Sequence, residues 1–157
     1  MVTVRSATPA DATALATLRY EFRSGVHPPT EPRETFIDRC TAWMAERLAA
    51  SGEGRWQCFV AQRGGGTTVG HVWVQLVEKI PNPTEEAERH AYLTNLFVRP
   101  EARGGAGSAL LETALAWCRE REVDTVFLWP SARSRSLYER FGVTGNGAIM
   151  AMAPGRA

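Results

Sequence analysis

A glycine-rich turn in the second half of the chain has the residue types and spacing to bind phosphate. Residues 91–98 are apolar enough to predict a strand, glycines follow at Gly104, Gly105 and Gly107, and residues 108–120 have helical periodicity. A strand that passes through glycines into a helix leaves backbone N–H groups unpaired, and the helix dipole favours negative charge beside them. The pattern therefore predicts an anion-binding turn.

Two familiar phosphate-binding loops do not fit this turn. A nucleoside triphosphate loop requires a lysine directly after its second glycine, but the only lysine in the chain is Lys79. A dinucleotide-binding loop requires a glycine three residues after Gly107, where this chain has Leu110. A nucleotide-dependent enzyme is therefore the weaker alternative, and it predicts that a nucleotide stabilises the protein.

Two motifs in this part of the chain resemble the GNAT family of N-acetyltransferases. The sequence Gly105-x-Gly107-x-x-Leu110-Leu111 matches the second half of that family's acyl-CoA signature. Downstream, residues 137–142 read Leu-Tyr-Glu-Arg-Phe-Gly, which resembles the family's Leu-Tyr-Glu-Lys/Arg-x-Gly-Phe element. Two motifs in the family's order and at its separation are more specific than either motif alone. The resemblance implies a transferase that moves an acetyl or related acyl group from acyl-CoA, with acetyl-CoA as co-substrate, to a primary amine.

The resemblance also implies roles for particular residues. Tyr138 is expected to act as the general acid that protonates the departing thiolate, although a tyrosine that only packs between helix and sheet is the alternative. The acyl-CoA is expected to contact the end of the strand, the turn, the start of the next helix and one serine downstream. These residues are Leu96, Phe97, Val98, Arg103, Gly104, Gly105, Ala106, Gly107, Ser108 and Ser134. Three further arginines could bring positive charge toward the phosphates, namely Arg99, Arg133 and Arg135.

The general base is not assigned by the sequence. At the strand position where many relatives carry a glutamate, this chain has Thr94, which cannot accept a proton at neutral pH. Four other side chains have a suitable intrinsic pKa or a carboxylate, and these are His71, His90, Glu86 and Glu88. We expect deprotonation through water, or capture of an amine that is already neutral.

The acceptor is expected to be a small amine bound by three segments. These are residues 26–34, the loop 79–89 and the polar face of a predicted hairpin, with His27, Glu31, Trp73 and Tyr92 as candidate lining residues. The missing strand glutamate also leaves a second interpretation open, a catalytically silent CoA-binding regulatory domain. Because many relatives pair as dimers, the resemblance allows a homodimer.

The elements that would position these groups follow the order β-α-α-β-β-β-α-β-α-β. The Thr8-Pro9 start predicts the first helix, residues 56–62 and 68–78 flank a glycine turn as a hairpin, and residues 148–152 predict a last strand. We expect an α/β (α+β) fold with a single GNAT-like domain over residues 1–157. Its mixed sheet should have six to seven strands and about four flanking helices, and by resemblance its fourth and fifth strands should splay apart.

Composition excludes several other classes of protein. The 157 residues are 44% hydrophobic, and 18 basic and 17 acidic residues are interspersed, so there is no electrostatic footprint for nucleic acid. No apolar run approaches the roughly 18 residues of a membrane span, and we expect a cytoplasmic protein. Cys40, Cys58 and Cys118 lack metal-ligand spacing and are expected to be reduced thiols, with no metal in the site.

Overall fold

The computed structural model describes residues 1–50, 54–86, 88–145, 147 and 149–155. Over these residues the chain forms one mixed sheet flanked by helices. The strands and helices are β1 (Val2–Ser6), α1 (Ala12–Ser24), α2 (Arg33–Ala49), β2 (Trp56–Arg63), β3 (Thr67–Val77), β4 (His90–Val98), α3 (Ala106–Glu120), β5 (Thr125–Phe127) and α4 (Arg135–Arg140). Short 3-10 turns lie at Pro9–Asp11, Gly64–Gly66 and Pro100–Ala102.

The sheet follows the order of the sequence, β1-β2-β3-β4-β5. Its first four strands are antiparallel, and β5 runs parallel to β4 after the crossover through α3. The mixed sheet and the four α-helices confirm the expected fold class and number of helices.

The expected six to seven strands are wrong, because the described residues form five. The predicted last strand is the main difference, since residues 149–152 pair with no neighbour and residue 148 lies outside the described residues. Met150 is 95% exposed and Met152 is 79% exposed, so this apolar segment does not pack against the described part of the sheet. An apolar run alone therefore did not identify a strand here.

β4 and β5 are paired over a short distance only. The ladder joins His90–Tyr92 to Thr125–Phe127, and β5 ends there. β4 continues to Val98 while its other edge stays paired with β3. From residue 93 to residue 98, β4 therefore has an edge without a strand partner, which is the arrangement that two diverging strands require.

The sheet separates two apolar clusters. One cluster lies under α3 and includes Val72, Val74 and Leu110, while the other lies under α1 and α2 and includes Leu15 and Trp73. Successive side chains of β3 point to opposite faces, so the face predicted to carry hydrogen-bonding groups is the one covered by α1 and α2. That face is buried rather than solvated, since Trp73 is only 2% exposed.

The predicted start of the first helix is confirmed by its hydrogen bonds. The backbone N–H of Thr8 donates to Asp11 Oδ2 at 2.7 Å, and the Arg5 guanidinium donates to both oxygens of Asp11 at 2.9 Å. The hydrogen bonds from Arg5 lower the pKa of Asp11. This capping box anchors the end of β1 to the beginning of α1.

Candidate active site

A bulge in β4 lies at the centre of the candidate site. Thr94 is opposite Trp73 and Phe97 is opposite His71, so Asn95 and Leu96 together face the single β3 residue between them. Asn95 has a φ of 59°, a left-handed conformation that asparagine tolerates better than most residues. The extra residue changes the direction of the strand shortly before it ends at Val98.

The amides beyond the bulge alternate between the two edges of β4. The backbone N–H of Arg99 donates to the carbonyl of Val69 on the β3 side, at 2.8 Å. Because successive N–H groups in a regular strand point to opposite edges, that of Phe97 points toward β3 and that of Val98 points away from it. Of the three residues expected to contact acyl-CoA here, Val98 therefore has its N–H group on the open edge, while Leu96 belongs to the bulge, where the alternation is interrupted.

The glycine turn follows directly and is open to solvent. Gly104 and Gly105 have φ values of 122° and 116°, and a Cβ placed on either would meet no atom within 4 Å. Gly105 is the N-cap of α3, where no side chain caps the helix. Since the first helical bond runs from the Ala109 N–H to the Gly105 carbonyl at 2.9 Å, the amides of Ala106, Gly107 and Ser108 have no helical acceptor.

The arginines expected near the phosphates differ in their surroundings. Arg103 is exposed beside the turn, and Arg133 and Arg135 are exposed around the start of α4. Arg99 instead donates to both carboxylate oxygens of Glu21 at 2.9 Å and to the Thr68 carbonyl at 3.3 Å. The guanidinium of Arg99 therefore joins α1 to the end of β4, and its charge is paired with Glu21 instead of being directed to the glycine turn.

Tyr138 lies on α4, which packs against the start of α3. The neighbouring Leu137 has its Cδ2 atom 3.5 Å from the position that a Cβ on Gly107 would occupy. Tyr138 itself is 7% exposed and belongs to the cluster under α3. Burial raises the pKa of its phenol to about 12, with a smaller contribution from Tyr92. At neutral pH the hydroxyl is therefore protonated and can donate.

Ser134 occupies the N-cap position of α4, but its hydroxyl does not cap that helix. The Ser134 Oγ atom accepts a hydrogen bond from the Ser131 backbone N–H at 3.0 Å, and the two serine hydroxyls are 2.8 Å apart. The two serines thus close the turn that enters α4.

His71 cannot be the general base, which corrects one of the candidates from the sequence. Its side chain is fully buried, and the Trp73 indole N–H donates to its Nδ1 atom at 3.2 Å. Burial lowers the pKa of His71 to about 3, with a smaller contribution from the charge of Arg19. The ring is therefore neutral, and its proton lies on Nε2, which has no hydrogen-bond partner among the described residues.

The other candidate bases lie away from the bulge, at the opposite end of β4. His90 is at the start of the strand, where its Nε2 atom is 3.4 Å from the Lys79 Nζ atom. Glu88 accepts a hydrogen bond from the Asn82 backbone N–H at 2.6 Å, and Glu86 is exposed.

A cleft of about 500 Å³ opens between α2 and the β3–β4 pair. Its described lining residues are Arg19, Phe36, Arg39, Cys40, Trp43, Met44, Trp56, Trp73, Tyr92, Thr94 and Asn95. Trp73 and Tyr92 were expected to line an acceptor site, and both line this cleft. His27 and Glu31 instead line a separate cavity of about 220 Å³ next to α1. No described residue of the loop 79–89 lines either one.

The sequence missed the contribution of α2 to this cleft. The apolar periodicity of α2 includes Phe36, Cys40 and Met44, which reads as an ordinary core-facing stripe. Met44 and Ile37 are buried as expected, whereas Phe36 and Cys40 are only half-buried and border the cleft. Periodicity identifies the inward face of a helix but not a gap between that face and the sheet.

The part of the chain that the structure describes has no group of three or more His, Cys, Asp or Glu side chains that could hold a metal ion. Its three cysteines are free thiols. None of its helices has both the length and the apolar character that crossing a bilayer would demand.

Comparison with known proteins gives a consistent result. The model of the acetyltransferase (GNAT) family matches residues 14–143. The chain is 34% identical over 119 residues to aminoglycoside N(6')-acetyltransferase type 1 of Stenotrophomonas maltophilia. The aligned region covers 75% of this chain and 68% of that protein.

Solved structures share the fold at lower identity. A predicted acetyltransferase with acetyl-CoA from Clostridium acetobutylicum superimposes with a TM-score of 0.77 at 19% identity, over 98% of this chain and 96% of that one. A GCN5-related N-acetyltransferase from Ralstonia eutropha superimposes with a TM-score of 0.74 at 23% identity, over 99% of this chain and 100% of that one. With the family model and the curated relative, this likeness shows that the chain belongs to the GNAT family of acetyltransferases, in which acetyl-CoA is the co-substrate.

Proposed function

We propose that the protein transfers an acetyl group from acetyl-CoA to the primary amine of a small molecule bound in the cleft. The observation that carries this proposal is the position of β4. Thr94 and Asn95 line the cleft, and the open edge at residues 96–98 leads directly into the uncapped start of α3. One strand thus connects a small-molecule cleft to an anion-binding turn.

The glycine turn fits a pyrophosphate. The amides of Ala106, Gly107 and Ser108 are free to donate, and no atom of the described residues fills the space above Gly104 and Gly105. Side chains at these glycines would hold phosphates away from the amides. Arg103 is the cation nearest in sequence to this turn and adds positive charge to it.

Acetyl-CoA supplies a thioester carbonyl, whose oxygen becomes more negative as the amine attacks. The N–H group of Val98 on the open edge of β4 and that of Leu96 in the bulge beside it are the donors that would stabilise that charge. Because these donors belong to the backbone, their positions depend on the bulge at Asn95 rather than on side-chain identity.

The amine must lose a proton without a side-chain base in the cleft. No His, Asp or Glu is among the described residues that line it, and His71 beneath it is held neutral. The hydroxyls of Tyr92 and Thr94 can position a water molecule but do not accept a proton at neutral pH. The amine therefore binds neutral or gives its proton to water.

Tyr138 is the general acid of this scheme. Its phenol remains protonated because burial raises its pKa to about 12. The protonated hydroxyl can give its proton to the departing thiolate, and the phenolate that remains takes a proton from water.

Release of the CoA thiol tests the proposal directly. The protein would be incubated with acetyl-CoA and a panel of aromatic, aliphatic and polycationic amines, and the acetylated products would be identified by mass spectrometry. Kanamycin belongs in the panel because of the similarity to an aminoglycoside acetyltransferase. Tight acetyl-CoA binding without turnover of any amine would instead indicate a silent CoA-binding domain.

A further inference from the structure

The cleft contains a cation that has no acidic partner among the described residues. Arg19 reaches it from α1, and its Nη1 atom donates to the neutral side-chain oxygen of Asn95 at 3.1 Å. The side chain is half-buried, and burial lowers its pKa. A guanidinium has five N–H donors, so this one retains donors and a full charge that a neutral amide does not balance.

Several other arginines among the described residues are balanced by carboxylates. Arg5 is paired with Asp11 and Arg99 with Glu21, each at 2.9 Å. Arg39, the second cation that lines the cleft, is paired with Glu31. Arg19 is thus the lining cation whose charge is available to a ligand.

Half of the other described lining residues of the cleft are aromatic. Trp43, Trp56 and Trp73 contact one another, with ring centroids 5.4 to 6.1 Å apart. Phe36 and Tyr92 extend this wall, and no Asp or Glu is among the described lining residues. A ligand with several ammonium groups would meet the charge of Arg19, with no carboxylate among the described lining residues to receive it.

We infer that the acceptor is an aromatic primary amine that also carries a carboxylate. The carboxylate pairs with Arg19 beside Asn95, and the aromatic ring packs against the tryptophans. The inference rests on the proposed function, and it assigns a substrate class opposite in charge to an aminoglycoside. In the reaction, the N–C bond of the amide forms and the C–S bond of the thioester breaks. The thiolate takes up one proton, and the amine gives up one.

Matched pairs of amines test this assignment. 4-(Aminomethyl)benzoate and benzylamine differ only in a carboxylate, as do L-phenylalanine and 2-phenylethylamine, and kanamycin is the polycationic comparison. In at least one pair, kcat/KM per neutral amine should be at least tenfold higher for the carboxylate, and higher than for kanamycin. Equal or reversed values in both pairs, or kanamycin as the best acceptor, would overturn the inference.

Arg19→Gln tests the residue, and Arg23→Gln is its matched control one helical turn away. Arg19→Gln should remove the preference for the carboxylate, whereas Arg23→Gln should keep it, since Arg23 does not line the cleft. Calorimetric titration with acetyl-CoA shows that each variant is folded. A preference that survives in folded Arg19→Gln contradicts the role of Arg19.

Binding without turnover separates this inference from the proposed function. Three of the five tryptophans line the cleft, so their fluorescence should report binding of the same four monoamines. Tighter binding of the carboxylates without CoA release from any amine would support the ligand class and reject the enzymatic function. CoA release whose rate does not depend on the carboxylate, together with equal binding of the amines in each pair, would support the enzymatic function and reject the ligand class.

Discussion

Burial shifts the pKa values of two side chains that the sequence offered as acid and base in opposite directions. It keeps the Tyr138 phenol protonated by raising its pKa to about 12, and it keeps the His71 imidazole neutral by lowering its pKa to about 3. The sequence identified both residues as candidates because of their type and position. It could not distinguish them, since the α1–α2 layer that covers His71 is a product of tertiary packing.

Replacing Tyr138 by phenylalanine should reduce kcat by about a hundredfold, the usual contribution of a general acid. The ring and its packing are retained, so the Kd for acetyl-CoA should change by less than about threefold. Steady-state kinetics and calorimetric titration measure the two quantities. Full turnover in Tyr138→Phe would leave Tyr138 with a packing role only.

His71 should make the protein less stable in acid. Its folded-state pKa of about 3 lies below the unfolded value of 6.5, so the unfolded chain takes up a proton first as the pH falls. The stabilisation by neutral His71 is complete above pH 6.5 and is lost progressively toward pH 3. At pH 4.5 the loss should be about 2–3 kcal/mol.

Urea denaturation at pH 7.5 and pH 4.5 measures this loss. His71→Gln should show a smaller decrease in the free energy of unfolding between the two pH values than the wild type. His27→Gln, which replaces an exposed histidine, is the control and should keep the wild-type decrease. Equal decreases in all three proteins would contradict the assignment to His71.

At the scale of elements, β4 determines the geometry of the site more than any helix does. The sequence predicts the strand from its apolar run but gives only a weak sign of its bulge, an asparagine in the middle of the run. Gly70 on β3 lies so close to the strand end that a Cβ there would be 2.8 Å from the Phe97 carbonyl oxygen. This close approach depends on the register of two strands, which the sequence alone does not specify.

The glycine turn was predictable in position and in the identity of its residues, and its conformation can be tested with two alanine variants. Gly105→Ala forces a side chain into a φ of 116° and should cost about 1–3 kcal/mol of stability. Gly107 is inside α3 with only ordinary contact near its Cβ position, so Gly107→Ala should be neutral or stabilising by up to about 1 kcal/mol.

Chemical denaturation measures these stabilities, and titration with acetyl-CoA measures the turn's function. Gly105→Ala should also weaken acetyl-CoA binding, because its strained backbone moves the amides at the start of α3. Acetyl-CoA affinity equal to that of the wild type, in a destabilised Gly105→Ala protein, would show that the turn does not hold the pyrophosphate.

At the scale of the whole molecule, the sheet has α3 on one face and α1 with α2 on the other. The sequence predicted the long helices and the hairpin, because caps and periodicity mark those helices and glycines mark the hairpin, but not which helix lies on which face. It overestimated the sheet, because the apolar residues 149–152 have no paired neighbour in the structure. Strand pairing is a non-local property, whereas a helix is largely determined within its own segment.

Acetyl-CoA should stabilise the folded protein as a whole. At a concentration of a hundred times the Kd, a ligand that binds only the folded state adds about 2.7 kcal/mol. For a protein of this size that corresponds to an increase in Tm of about 5–10 °C. Thermal denaturation in the presence of acetyl-CoA, CoA, ATP or NAD measures this increase in Tm. A comparable increase in Tm with ATP or NAD alone would favour a nucleotide-dependent enzyme.

The bulge at Asn95 also divides the chain into two parts in sequence order. All described residues that line the cleft lie between Arg19 and Asn95, and every residue proposed to contact acetyl-CoA or its thiolate lies between Leu96 and Tyr138. The residues that would select the acceptor thus precede the peptide bond between Asn95 and Leu96. The residues that would bind the donor follow that bond. Recombination at this point between two relatives would exchange acceptor specificity and leave the donor half unchanged, so new substrates can be acquired without rebuilding the coenzyme site.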